Sequence, residues 1–187
     1  MSKQYWKAGN MLYPLPAVLV SMQDSKGKMN IITIAWTGTC CTNPPMVYIS
    51  VRLERYSYAI LKETKEFVIN LTTEALAYAT DYCGVTSGQT VDKFKATKLT
   101  PIASKFVKAP SIKESPVNIE CRVKEIIPLG SHDMFLAEVL GVTVEDGYLD
   151  EMNRFHLDLA NPITYSHGAY YTLGKNLGRF GYSIKKS

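Results

Sequence analysis

Long apolar runs and patterned cysteines are both missing from this 187-residue chain. No stretch approaches 18 consecutive apolar residues, so no membrane-spanning helix is expected. The opening MSKQYWKAGN lacks the apolar centre of a secretory signal. The four cysteines, Cys40, Cys41, Cys83 and Cys121, form no C-x-x-C pair, which argues against a zinc site. Adjacent Cys40 and Cys41 do not readily bridge each other, and this usage fits a reducing compartment; a cytoplasmic protein is expected. G-x-G-x-x-G, G-x-S-x-G and H-x-x-E-H are also absent. Those absences argue against a Rossmann dinucleotide site, a nucleophile-elbow hydrolase and a zinc peptidase, and no metal site is expected. Charge of one sign is weak too: 21 Lys and Arg against 17 Asp and Glu give +4, scattered in short clusters. That balance does not suit nucleic acid, but it favours an anionic small molecule.

What the chain does have is tyrosine, 12 of them. Tyrosine joins an apolar body to a polar tip, so the excess points to a wet aromatic pocket or a broad partner surface. Hydrophobic content of 46% and charged content of 20% are ordinary for a globular protein, and one domain over residues 1–187 is expected.

The most informative stretch runs from Asn30 to Ser57. Ile31, Thr33 and Ala35 alternate with Ile32, Ile34 and Trp36, as on the two faces of a strand. A nine-residue loop, Thr37 to Pro45, is expected next, then a strand from Met46 to Val51. Ser50, Arg52, Arg55 and Ser57 follow, with Ser57 placed to cap a helix through Leu61. Two guanidiniums beside a helix N-terminus suit a phosphate, because forked donors and orphan N–H groups both match its oxygens. A solvated strand end carrying surface arginines has the same local sequence.

Elsewhere, residues 1–15 read as an aromatic arm and Ala17 to Met22 as a strand, turning at Gly27 into the Asn30 strand. After a helix ending near Lys65, Glu66 to Leu71 is expected as a strand. Thr72 and Thr73 offer caps for a helix from Glu74 to Cys83, with Leu76, Ala79 and Cys83 inward and Gly84 ending it. Val85 to Thr97 reads as a loop with a helical turn at Asp92-Lys93-Phe94. Pro116 to Ile127 is the clearest half-buried strand, with Val117, Ile119, Cys121 and Val123 inward and Asn118, Glu120, Arg122 and Lys124 outward. Gly130-Ser-His-Asp turns into a strand from Met134 to Val144, which ends at Asp146-Gly147. An irregular piece to Leu159, a β-like run from Pro162 to Leu173 and an extended tail from Gly174 to Ser187 complete the chain. Hairpin-joined strands outnumber helices, so a mainly β fold is expected: an antiparallel barrel with helices at its edge.

The asparagine-led strand, the Trp36-Thr-Gly loop ending in Asn43-Pro-Pro, and Val51-Arg-x-x-Arg-Tyr-Ser together resemble the flavin reductase-like family, the FMN-binding split barrels that include the flavoredoxins. Pro16-Ala-Val-Leu-Val-Ser, Gly130-Ser-His-Asp and Tyr170-Tyr-x-Leu-Gly extend the likeness over most of the chain. The resemblance implies a split β-barrel of Greek-key type that binds FMN as a homodimer. It implies an NAD(P)H-dependent flavin reductase transferring hydride to FMN N5, with NADH or NADPH as reductant and an electron-acceptor protein as partner. Ala35, Trp36, Thr37, Gly38 and Thr39 are then expected along the isoalloxazine edge. Ser50, Val51, Arg52, Arg55, Tyr56 and Ser57 are expected around the phosphate end, with Lys93 and Phe94 near it. His132 and His167 are the candidates to face the flavin or nicotinamide. A flavoredoxin-type carrier exchanging electrons between proteins, a pyridoxamine-phosphate-oxidase type of split barrel and a non-redox ligand-binding module stand as alternatives. Structural readings also stand for single residues: Cys40 and Cys41 as small buried residues, Cys121 as core, His132 as a turn residue bonded to Asp133, Lys93 as surface, and His156 as structural.

Overall fold

The computed structural model describes residues 1–184. Its strands are β1 (Leu15–Pro16), β2 (Val18–Gln23), β3 (Met29–Ile34), β4 (Thr37–Cys41), β5 (Met46–Arg52), β6 (Glu66–Leu71), β7 (Pro101–Ile102), β8 (Ser111–Ile112), β9 (Val117–Pro128), β10 (His132–Val144), β11 (Ile163–Ser166) and β12 (Ala169–Thr172). Three α-helices, α1 (Tyr56–Thr64), α2 (Ala77–Val85) and α3 (Lys93–Thr97), lie among them.

Seven strands form one antiparallel sheet in the order β3-β2-β6-β9-β10-β5-β4. The first hairpin turns at Gly27, whose φ of +87° a side chain would strain. The two edge strands, β3 and β4, are consecutive in the chain and joined only by Ala35 and Trp36. The sheet curls until its edges approach at that short link, yet they do not pair. This is a split β-barrel, and the split is where backbone groups of an edge strand stay open. The β11–β12 hairpin pairs with β1 in a separate small sheet.

Alternation drives the core. Inward-facing Met22, Ile32, Ile49, Phe67, Cys121 and Phe135 fill the barrel, and α1 closes one end with Ile60 and Leu61. On the opposite face, Leu19 and Ile31 pack under Leu76, Ala79 and Cys83 of the α2 region and Phe94 of α3. Cys121→Ala opens a small void in the barrel and is expected to cost about 1 kcal/mol, a fall of about 2–4 °C in melting temperature. A ligand-induced rise in melting temperature is expected to survive that change intact, since Cys121 lies inside the barrel.

Several expectations give way here. Thr37 to Cys41 is strand rather than loop, paired with β5 through Gly38↔Tyr48 and Thr39↔Val47; Thr39 and Cys40 face solvent on a sheet edge while Thr37 is buried. Consequently Cys40 is exposed and Cys41 half-buried, not small core residues. Ser57 does not cap α1: Arg55 occupies the N-cap position, and the buried Ser57 Oγ instead accepts from Asn30 Nδ2 at 2.8 Å. Glu74–Leu76 forms a 3-10 turn before α2, Thr73 makes no capping bond, and the helix runs through Gly84 to Val85. Asn118 and Glu120 are buried rather than outward to solvent, Glu120 against the segment between β7 and β8 and Asn118 against β6 and β8. Glu120 accepts from the Lys105 and Phe106 N–H groups at 3.0 and 2.6 Å, and Asn118 Nδ2 donates to Asn70 Oδ1 and the Ile112 carbonyl. The tail turns at Arg179–Tyr182 instead of running extended, and its last three residues lie outside the described residues.

Candidate functional site

A cleft of about 490 Å³ opens where β3 and β5 part, with α2 on one side and the β11–β12 hairpin on the other. Ile32, Thr33 and Ile34 of β3, the Ala35-Trp36 link, and Ser50, Val51 and Arg52 of β5 form its inner wall. Trp36 is fixed by its carbonyl, which accepts from the Ser50 N–H at 2.8 Å. On the open edge of β3, the Ile31 carbonyl accepts from Lys93 Nζ at 2.8 Å. The two-residue period of a strand turns the Thr33 N–H and C=O to that same edge, toward the cleft. Small residues, Ala17, Ala35 and Gly84, leave room for a flat ring to approach. His132 begins β10 directly across from Arg52, and its ring lies parallel to Trp36 (6° between planes, centroids 6.3 Å apart). Tyr165 stands beside Trp36, and Tyr170 reaches the cleft from the next strand.

A recess of about 250 Å³ continues the cleft past Arg52 and Arg55, at the N-terminus of α1. No side chain caps that helix, and its first two residues, Tyr56 and Ser57, line the recess. Arg55 has no carboxylate partner among the described residues, whereas Arg52 Nε is held by Glu54 at 2.9 Å. Buried Lys93 adds a third cation, anchored by the Ile31 and Cys83 carbonyls at 2.8 and 2.7 Å. The opposite wall is the hydroxyl-rich Thr86-Ser87-Gly88 loop. Gly88 sits so close to Asn30 that a Cβ would stand 2.0 Å from Asn30 Oδ1.

Comparison with known proteins decides what this cleft belongs to. The model of the flavin reductase like domain matches residues 10–174. The chain belongs to the flavin reductase-like family. An uncharacterized protein of Archaeoglobus fulgidus is 34% identical over 139 residues, 74% of this chain and 77% of its own. Among solved structures, flavoredoxin of Desulfovibrio vulgaris (Miyazaki F) superposes with a TM-score of 0.91 at 30% identity, covering 98% of this chain and all of the other. Flavoredoxin from Methanosarcina acetivorans gives 0.87 at 28% identity, covering 97% of each chain. The residues present suit a flavin: an open strand edge offers backbone donors and acceptors, small residues admit a planar ring, and a polar, cationic recess closes one end.

Of the residues expected from sequence, Ala35, Trp36, Ser50, Val51, Arg52, Arg55 and His132 line this cleft, and Tyr56, Ser57 and Lys93 line its recess. Lys93 is therefore not a surface residue. Thr37, Gly38 and Thr39 do not reach the cleft, because strand pairing carries them along β4: Thr37 is buried with its hydroxyl on the Tyr48 carbonyl. A valine at Gly38 would press on the Tyr48 ring, 3.1 Å from the Cβ position, rather than crowd the cleft. Phe94 is packed with Leu19 and Ile31. His167 stands exposed at the β11–β12 turn with φ of +48°, its ring 4.4 Å from Tyr13 and outside the cleft. His132 does not bond Asp133. Its Nδ1 meets Ser131 Oγ at 2.9 Å, while Asp133 accepts from Tyr58 OH. His156 bonds Asp150. Sequence reading missed Asn30, Asp81, Gly84, Gly88, Tyr165 and Tyr170; the Thr-Ser-Gly run after α2 was the one local signal available.

Electrostatics separate these groups. Burial, and secondarily Arg52, holds His132 below the usual histidine range, so it is neutral near pH 7. Burial, and then Asp81, pushes Tyr170 up. Burial lowers Lys93 to about 8, while burial raises Cys83 to about 11 and Cys121 to about 12. Between about pH 8 and 9, the unfolded chain then holds more protons at Lys93 than the folded chain does, so stability rises with pH. Above about 9 the two buried thiols oppose it, because there the folded chain retains protons that the unfolded chain has lost. Thermal melts of ligand-free protein are expected to show that rise below pH 9, and Lys93→Gln to flatten it. An unchanged slope in the variant would mean that Lys93 is not the group titrating.

Proposed function

We propose that the cleft binds FMN and that the protein is an NAD(P)H-dependent flavin reductase. The carrying observation is the cationic recess, with unpaired Arg55, buried Lys93 and an uncapped helix N-terminus, at the end of a cleft bordered by an open strand edge. When bound, FMN supplies the hydride and electron chemistry. Arg52, Arg55, Tyr56, Ser57 and Lys93 hold its phosphate; Thr33, Ala35 and Trp36 present backbone to the ring edge; Ser50 and Val51 line its flank. Trp36, His132 and Tyr165 shape the mouth where a nicotinamide ring approaches, and neutral His132 serves there as a hydrogen-bonding group without adding charge. Anaerobic mixing of FMN-loaded protein with NADH and with NADPH tests the reading: rapid loss of flavin absorbance with either one supports it, and none with both contradicts it.

A second reading, a flavoredoxin-type carrier that keeps its FMN and passes electrons between proteins, is favoured by the likeness to two flavoredoxins. Slow bleaching by nicotinamides beside fast exchange with a reduced ferredoxin-type donor would select it. We also infer a single domain acting as a homodimer in the cytoplasm. Tyr5, Trp6 and Leu12 of the N-terminal arm and Leu177 and Phe180 of the tail are exposed apolar side chains that a second copy would cover. The four free cysteines suit a reducing compartment, and among the described residues no helix is long and apolar enough to cross a membrane. Light scattering of FMN-loaded protein is expected to give twice the chain mass; the chain mass alone would contradict the dimer.

A further inference from the structure

A second cavity, about 720 Å³, lies apart from the cleft proposed for flavin. It lies beyond the Gly88 wall, between the β2–β3 turn, the loop after α2, and α3 with the chain leading to β7. Its size falls within the range of roughly 300–1,000 Å³ typical of small-ligand sites. Two features define its chemistry. Phe94 and Leu99, 6% and 7% exposed, supply an apolar floor. Lys28, Lys95 and Lys98 stand around it, none of them with a carboxylate partner among the described residues. The one acidic lining residue, Asp92, is already engaged, its Oδ1 accepting from the Lys95 N–H at 3.1 Å.

Lys28 ties this cavity to the phosphate recess. Its ammonium donates to the Gly88 carbonyl at 3.1 Å and lies 4.8 Å from the centre of the Tyr56 ring. Gly88 lines both cavities, and Tyr56 lines the recess. A phosphate beside Lys28 is therefore one short step from a phosphate beside Arg55. An apolar floor under three unpaired cations suits a flat aromatic base joined to a phosphate better than a purely apolar ligand or a bare anion.

We propose that this cavity is an adenylate subsite, with a purine over Phe94 and Leu99 and a phosphate among Lys28, Lys95 and Lys98. Two sources share that chemistry: the adenylate half of a flavin dinucleotide reaching over Gly88 from the cleft, or a separate adenine nucleotide. The first source rests on the FMN reading above; the second does not.

The test titrates AMP into FMN-loaded and into flavin-free protein, and then FAD and FMN separately into flavin-free protein. Wild type and Lys95→Glu/Lys98→Glu are compared, with Lys95→Gln/Lys98→Gln as a milder variant should the reversal unfold. Saturable AMP binding that weakens at least about tenfold in the charge-reversed variant is expected, with FMN affinity changed by less than about twofold. FAD binding tighter than FMN, with the excess lost in the variant, identifies the tethered source. FAD equal to FMN, with AMP binding alongside, identifies the free nucleotide. No saturable AMP binding, AMP binding indifferent to both substitutions, or inorganic phosphate matching AMP in affinity would each overturn the adenylate subsite. Loss of FMN binding in wild type would instead strike the flavin reading and leave the AMP arm to decide the cavity.

Discussion

Arg55→Ala is expected to weaken FMN binding about ten- to a hundredfold and to leave riboflavin nearly unaffected, corresponding to a charge-assisted bond of roughly 1.5–3 kcal/mol. The two ligands share the ring and ribityl chain and differ in the phosphate, so the difference isolates the recess. Arg55 is the sharper probe of the two arginines because no carboxylate competes for it among the described residues. Arg52 is shared with Glu54 at 2.9 Å, and Arg52→Ala is expected to cost less. That ion pair is itself largely exposed and contributes little to folding, so neither substitution should change melting of the ligand-free protein by more than a degree or two. Equal losses for FMN and riboflavin, measured by calorimetric titration, would show that these arginines do not read the phosphate.

The second large effect is steric. At Gly88, a methyl group would stand 2.0 Å from Asn30 Oδ1 and 2.6 Å from its Cγ, contacts that cannot persist. Asn30 is buried, and its Nδ2 holds Ser57 Oγ at the start of α1, so it has little freedom to retreat. Gly88→Ala must therefore either push the Thr86–Gly88 loop into the recess or break the Asn30–Ser57 bond. Overpacking of this kind costs typically about 1–3 kcal/mol in stability. It also deforms two walls of the recess, so FMN affinity is expected to fall at least tenfold. Gly147→Ala is the control: there the added carbon has no neighbour nearer than Glu145 Oε1 at 4.0 Å, the residue lines neither cleft nor recess, and affinity should not change. Wild-type affinity in Gly88→Ala would show that the loop does not form part of the binding surface.

Some of this structure was legible locally. The run Glu66 to Leu71 reads as β6 without adjustment, and the inward set Val117, Cys121 and Val123 of β9 follows from alternation alone. Asn118 and Glu120 show where alternation stops informing. They occupy the face that a strand leaves to solvent, but the stretch from Lys105 to Ile112 in β8, some 6 to 15 residues earlier in the chain, makes hydrogen bonds with both. β4 was hidden because an edge strand with one solvated face tolerates Thr, Gly and Cys, the composition of a loop. The recess proposed for phosphate was half visible. Arg52 and Arg55 suggest an anion site by type and spacing, while Gly88 and Lys93 enter it from other elements and Asn30 packs behind Gly88. Tyr165 and Tyr170 lie more than 100 residues downstream of Trp36, and the pairing of β1 with β11, together with the Thr73–Pro162 bridge, brings that hairpin to the cleft. The same pairing leaves His167 at the turn, one residue from Gly168, which does line the cleft.

FMN titration of flavin-free protein, followed by visible absorbance and melting temperature together, tests the binding claim most directly. One FMN per chain is expected to bind saturably, and stability to rise by mass action, by about 2.7 kcal/mol at a free concentration one hundred times the dissociation constant. Absorbance of unbound flavin throughout, with a melting temperature that does not move at millimolar FMN, would contradict it.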